Sequence, residues 1–192
     1  FFYIFCLFLT SSVHAQWTAQ TSGTTETLND VFFQDANNGW VVGDNQTLLR
    51  TNDAGANWSL ITSPALPLPS SGFPDDLEAI QFVDANTGWI AVRTNGAYKT
   101  TDGGNSWTFQ TIGSGFFTDV YFSDANNGWL VGGGGSSPFP GIVYHTSDGG
   151  MNWTPQTIPG SINRILEAVF FVNFTTGWAV GRDGQIISTT DG

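Results

Sequence analysis

Apolar residues in this chain come in short runs, broken every few positions by Asp, Asn and Gly. Val31-Phe32-Phe33, Trp40-Val41-Val42 and Leu48-Leu49 are three such runs, separated by Asp35-Ala36-Asn37-Asn38-Gly39 and by Asp44-Asn45. Runs of this length between turn residues predict strands joined as antiparallel hairpins. The spacing of an amphipathic helix never persists for three turns, so the chain is expected to be all-β.

The runs also repeat. FFQDANNGWVVG around Trp40 returns as QFVDANTGWIAV around Trp89, YFSDANNGWLVG around Trp129 and FFVNFTTGWAVG around Trp178. In step with it runs T-x-D-x-G-x-x-W: Thr51, Asp53, Gly55 and Trp58, then Thr100, Asp102, Gly104 and Trp107, then Thr146, Asp148, Gly150 and Trp153, with Thr189 and Asp191 opening a fourth copy. The aspartates fall 49, 46 and 43 residues apart, from Asp53 to Asp102, Asp148 and Asp191. A period of this size marks a repeat architecture. Each unit reads as a strand, a D-A-N-N-G turn, a strand opening on Trp, a second turn (Asp44-Asn45, Asn95-Gly96, Asp183-Gly184), a third strand, the Asp motif and a fourth strand such as WTFQT. Four short antiparallel strands per unit describe a β-propeller blade. The units span about 28–64, 77–113, 117–158 and 166–192, and WTAQT from Trp17 matches a fourth strand, so 17–23 belongs to a neighbouring or closing blade.

In the Asp motif the carboxylate is expected to accept backbone N–H groups two or three residues on. Gly55, Gly104 and Gly150 would supply positive φ, and the Trp would bury a large ring. The motif is therefore expected to be a structural clasp rather than a catalytic or metal-binding element.

These residues resemble the Asp-box, or bacterial neuraminidase repeat. The pairing of D-A-N-N-G-W-x-V-G with T-T-D-G-G-x-x-W is most similar to the propellers of the photosystem II stability and assembly factor family, which also occur in secreted bacterial proteins. The resemblance covers 17–192. It implies an Asp-box propeller of about seven blades that binds or assembles partners rather than catalysing a reaction. With four units visible, the expectation is an arc of a larger ring; a closed four-bladed ring, completed by the Trp17 strand, is the alternative.

Residues 1–16, FFYIFCLFLTSSVHAQ, read as the tail of a secretory signal peptide: an apolar run leads into Val13-His14-Ala15. The competing reading is a membrane anchor, although a span needs about 20 apolar residues. Cleavage after Ala15 leaves a chain without cysteine, secreted, periplasmic or at the cell surface, with no stable membrane insertion. The net charge of −11, with five Lys and Arg, argues against nucleic-acid partners. With His14 in the leader and His145 alone, no cofactor or metal is expected. The run Gly132 to Gly135 lacks the Lys-Ser/Thr of a phosphate loop.

The first turn and the clasp should share one face of the ring, and the second turns and interblade linkers the other. The linkers vary, from SPALPLPSSGFPDD to GGGGSSPFPG and IPGSINRI, and function is expected on variable loops over a rigid scaffold. Candidate binding residues there are Arg93, Arg164, Arg182, Phe73, Asp75, Asp76 and Phe139. Asp30, Glu78, Asp119 and Glu167, near the starts of first strands, could form an acidic ring at the channel or stand as solvated strand ends. Arg50, Lys99 and His145, each preceding a clasp threonine, are expected to be structural. The favoured partner is a protein, with carbohydrate as the other choice. The alternative function is a sialidase or other glycoside hydrolase, for which a pair of carboxylates about 5 to 9.5 Å apart would be needed. Arg164-Ile165-Leu166 lacks the proline of the sialidase signature. A purely structural spacer is the third reading.

Overall fold

A computed structural model of the chain describes residues 17–62, 65–69, 71–135, 139–158, 160 and 164–192. The proposed leader, 1–16, lies outside the described residues. Four antiparallel sheets follow one another along the chain. The first holds β1 (Leu28–Phe33), β2 (Gly39–Gly43), β3 (Thr47–Thr51) and β4 (Ser59–Leu60) in sequence order. The second holds β5 (Leu77–Phe82), β6 (Gly88–Val92), β7 (Gly96–Thr100) and β8 (Thr108–Thr111). The third holds β9 (Phe116–Phe122), β10 (Gly128–Gly133), β11 (Gly141–Thr146) and β12 (Thr154–Pro155). The fourth has three strands, β13 (Leu166–Phe171), β14 (Gly177–Gly181) and β15 (Ile186–Thr189). No α-helix occurs among the described residues. The first strands of neighbouring sheets pack side by side, which makes the sheets successive propeller blades.

The second strands are buried throughout in the first three blades because each is covered on both faces. This is why they read as unbroken apolar runs rather than as an alternation. Three aromatic positions build the interface between blades. Trp40 of the first blade stacks on Phe82 of the second, and Trp107 of the second clasp meets both rings edge-on. The next interface repeats this with Trp89 stacked on Phe122 and Trp153 edge-on to Phe122. In the third, Trp129 stacks on Phe171.

The glycine before each of these tryptophans faces the Phe of its own blade. A Cβ on Gly39, Gly88, Gly128 or Gly177 would come within 2.4 to 2.6 Å of the Phe33, Phe82, Phe122 or Phe171 ring. The G-W dipeptide is thus a packing requirement: no side chain fits beneath the ring.

Every first strand carries a bulge at one equivalent place, passing over Asn29, Glu78, Thr118 and Glu167. A bulge re-aims the side chain it displaces. This detail decides which way the first-strand carboxylates face.

Candidate functional site

The clasp is a hydroxyl-centred turn. Thr51 Oγ1 accepts the Gly55 N–H at 2.9 Å and donates to Asp53 Oδ1 at 2.8 Å, and Asp53 Oδ1 also accepts the Asn57 N–H at 2.9 Å. Thr100/Asp102/Ser106 and Thr146/Asp148/Asn152 repeat it, and Thr189 donates to Asp191 in the fourth copy. The carboxylate therefore reaches the N–H four residues on and, more weakly, the one three residues on, while the buried threonine takes the N–H two residues on. Gly55, Gly104 and Gly150 have φ of 83°, 75° and 88°, as the turn demands. Hydrogen bonds to Asn152 and Thr146 hold the Asp148 carboxyl down at about 2.

Each clasp is bonded to the first turn of its own blade, for instance Ala54 N–H to Asn37 O and Gly103 N–H to Asn86 O. Asp35, Asp84 and Asp124 close those first turns, and Asn173 does so in the fourth blade. The clasp face is accordingly committed to internal hydrogen bonds.

Two of the three bases before the clasp threonines, Arg50 and Lys99, join blades. The Arg50 guanidinium lies 4.7 Å from the Trp40 ring centroid and donates to Asn105 of the next clasp. Lys99 Nζ lies 5.4 Å from the Trp89 ring and donates to Gly149 O at 2.7 Å. His145 stacks on Trp129. Burial lowers the pKa of both Lys99 and His145.

On the opposite face the linker carboxylates grip the second turns. Asp75 accepts the Thr94 N–H at 2.9 Å, and Asp76 accepts the Asn45 N–H at 3.1 Å. Arg93 Nε lies 3.0 Å from Asp76 and 2.9 Å from Glu78. Arg164 pairs with Asp183, and Arg182 pairs with Glu167. All three arginines stay about half exposed while paired. Phe73 stands 74% exposed, whereas Phe139 packs edge-on against Phe116. In the first blade Asn45 and Gln46 have φ of 54° and 57°, so its turn sits one residue later than Asp44-Asn45.

The four first-strand carboxylates divide by the bulge. Glu78 and Glu167 stand at it and face second-turn arginines of their own blades. Asp30 and Asp119 follow the bulge, and each caps a neighbouring blade: Asp30 accepts the Ile80 N–H at 2.9 Å, and Asp119 the Val169 N–H at 2.8 Å. Burial pushes Asp119 up to about 6 against those hydrogen bonds, and raises Asp30 and Glu78 as well. Asn29 and Thr118, which hold the bulge in the first and third blades, donate to Leu77 O and Leu166 O of the following blades. These interblade caps were not visible in the sequence, because a bulge shifts facing by one residue without leaving a compositional mark.

Clasped four-stranded blades, stacked through a repeated Trp–Phe contact, define the molecule as a β-propeller repeat protein. The chain belongs to the photosynthesis system II assembly factor YCF48 family, whose pattern matches residues 9–112 and 66–157. No curated protein sequence matches it significantly. Among solved structures it is similar to YCF48 bound to D1 peptide, at 22% identity and a TM-score of 0.59 over 86% of this chain and 65% of that one. YCF48 from Cyanidioschyzon merolae matches at 19% identity, with a TM-score of 0.47 over 89% of this chain and 71% of that one. An ancestral GH74 enzyme matches at 17% identity, with a TM-score of 0.69 over 93% of this chain and 24% of that one. The chain thus spans 65% of the length of the YCF48 chain solved with the peptide. At these identities the likeness is one of fold.

Proposed function

We propose that this chain is a non-catalytic scaffold that captures a polypeptide on its second-turn face, and that the leader-like residues 1–16 direct it out of the cytoplasm. The observation that carries the binding reading is the contrast between faces. The clasp face hydrogen-bonds inward, while the second-turn face offers half-exposed guanidinium groups at Arg93, Arg164 and Arg182, and the linker to the second blade exposes Phe73. An arginine in an exposed ion pair exchanges its carboxylate at little cost, since such pairs contribute about 0 to 1 kcal/mol. A carboxylate on a peptide can take the place of Glu167 or Asp183, and an apolar side chain beside it can cover Phe73. Membership in the YCF48 family and the peptide held by the solved YCF48 support this reading.

Asp75 and Asp76, the acidic pair nearest an exposed aromatic, hold turn amides on both sides of the linker, which fits a positioning role better than acid–base work. The test is titration of the D1 peptide, and of peptides with their terminal carboxylates amidated, into the chain and into an Arg93→Ala/Arg164→Ala/Arg182→Ala variant. Binding weakened at least tenfold in the variant, with melting shifted by only a few degrees, is the expected result. Equal affinity of the two proteins would remove the arginines from the site.

A further inference from the structure

Asparagine stands before glycine at three places: Asn38-Gly39 and Asn127-Gly128, which end first turns, and Asn95-Gly96 in the second turn of the second blade. In this dipeptide the backbone nitrogen can attack the side-chain amide carbon with least hindrance, because glycine has no Cβ beside its nitrogen. The fold treats the three amides differently.

At the first turns the amide is held. Asn38 Nδ2 donates to Asp35 Oδ2 at 2.9 Å, and Asn127 Nδ2 donates to Asp124 Oδ2 at 2.8 Å. The nitrogen that would have to leave is thus tied to a carboxylate, and that fixed negative charge opposes the anion formed when the neighbouring carbon is attacked. Both asparagines are also half-buried.

Asn95 is arranged the other way. It is exposed, lies in the left-handed region at φ 60°, and accepts the Gly115 N–H on its Oδ1 at 3.1 Å. A backbone N–H only donates, so this bond settles which end of the side chain is oxygen. The same donor is aimed at the oxygen on which charge develops as the amide carbon is attacked. Among the described residues no acceptor holds Nδ2, so the leaving nitrogen is not tied down.

We infer that Asn95 is a self-modifying site, through which the second-turn face gains a negative charge with time. The Gly96 nitrogen bonds to Asn95 Cγ, the Cγ–Nδ2 bond breaks, and ammonia leaves with the Gly96 amide proton. Water then opens the five-membered imide to aspartate or isoaspartate. Aspartate keeps an acceptor for Gly115. Isoaspartate adds a methylene to the backbone between the bonds from Asn95 N–H to Gly115 O and from Ile112 N–H to Asn95 O, and so loosens the chain where it leaves β8. Either product puts a carboxylate two residues from Arg93, in a turn that Asp75 and Asp76 already grip. An effect on peptide capture rests on the reading of Arg93 given above; the modification does not.

The test is peptide mapping by mass spectrometry of the 192-residue chain after days in mildly alkaline buffer, folded and in urea, with fragmentation to tell aspartate from isoaspartate. In the folded protein the peptide that holds Asn95 should gain one mass unit well before those that hold Asn38 and Asn127, whereas in urea the three should keep pace. Equal rates in the folded protein, a lead for Asn38 or Asn127, or an Asn95 that stays intact would overturn the inference. Separately, Asn95→Asp should weaken D1-peptide binding about threefold with little change in melting, the scale of one exposed charge pair. Unchanged affinity would overturn the effect on binding, and a wild-type chain that takes no peptide would overturn the proposed capture; the mapping decides the modification in either case.

Discussion

Trp40 in the first blade and Phe82 in the second lie face to face, with ring centroids 5.5 Å apart and planes 19° from parallel. The same pairing joins Trp89 to Phe122 and Trp129 to Phe171, so one contact, made three times, holds the row of blades together. Around it the structure places a glycine that makes room for the Phe, a clasp Trp that closes the edge, and a base over the tryptophan's other side.

Gly128→Ala should destabilise the protein by about 1 to 3 kcal/mol, the usual cost of overpacking a filled core. Its Cβ would stand 2.4 Å from the Phe122 ring, which is wedged between Trp89 and Trp153 and has nowhere to move. Urea unfolding would show the loss as a lower midpoint with an unchanged slope. An unaltered midpoint would mean that the ring is free to shift.

Ile61→Gln should stabilise the first interface by roughly 1 kcal/mol, the net worth of one hydrogen bond. Gln20 accepts the Trp58 indole N–H in the equivalent position, whereas Trp107 Nε1 is buried without a partner in the cluster that holds Ile61; the gain requires the Gln20 rotamer, since Gln110 at the next interface leaves Trp153 Nε1 unpaired. A rise of a few degrees in Tm is expected. A fall would show that the apolar contact of Ile61 outweighs the unpaired indole.

Asp119 gives a pH signature. Its carboxyl is raised to about 6 in the folded protein from 3.8, so between those values the folded state holds the proton more tightly than the unfolded chain does. Stability from this group is therefore greatest below about pH 4 and falls as pH rises toward 6, by ~2–3 kcal/mol at 1.36 kcal/mol per unit. Asp148, held at about 2, acts in the opposite sense at lower pH: its contribution is present above about pH 4 and is lost as pH falls toward 2. Unfolding free energies at pH 4 and pH 6 should differ less in Asp119→Asn than in wild type. An identical pH dependence in both proteins would contradict the assignment.

The fold was legible to a large extent because its signals are local. Turn residues at fixed offsets, a G-W dipeptide and a T-x-D-x-G-x-x-W clasp each recur within one unit, so periodicity alone revealed the blades. The first-strand side of the blades was less legible. Asp30, Glu78, Asp119 and Glu167 are equally near the starts of their strands in sequence, but the bulge at Asn29, Glu78, Thr118 and Glu167 sends two of the carboxylates to arginines and two to backbone amides of the next blade. Likewise Arg50 and Lys99 read only as structural residues of their own blades. Their contacts lie on tryptophans and on the next clasp, which only the stacking of blades brings within reach.

Capture of a polypeptide on the second-turn face, as proposed, must slow exchange on that face and not on the clasps. Hydrogen–deuterium exchange of the chain, with and without saturating D1 peptide, should slow exchange at the second turns, around Asn45-Gln46, Arg93 to Asn95 and Arg182 to Gly184, and leave the clasps at Gly55, Gly104 and Gly150 unchanged. Protection concentrated on the clasps, with the second turns exchanging as before, would contradict it.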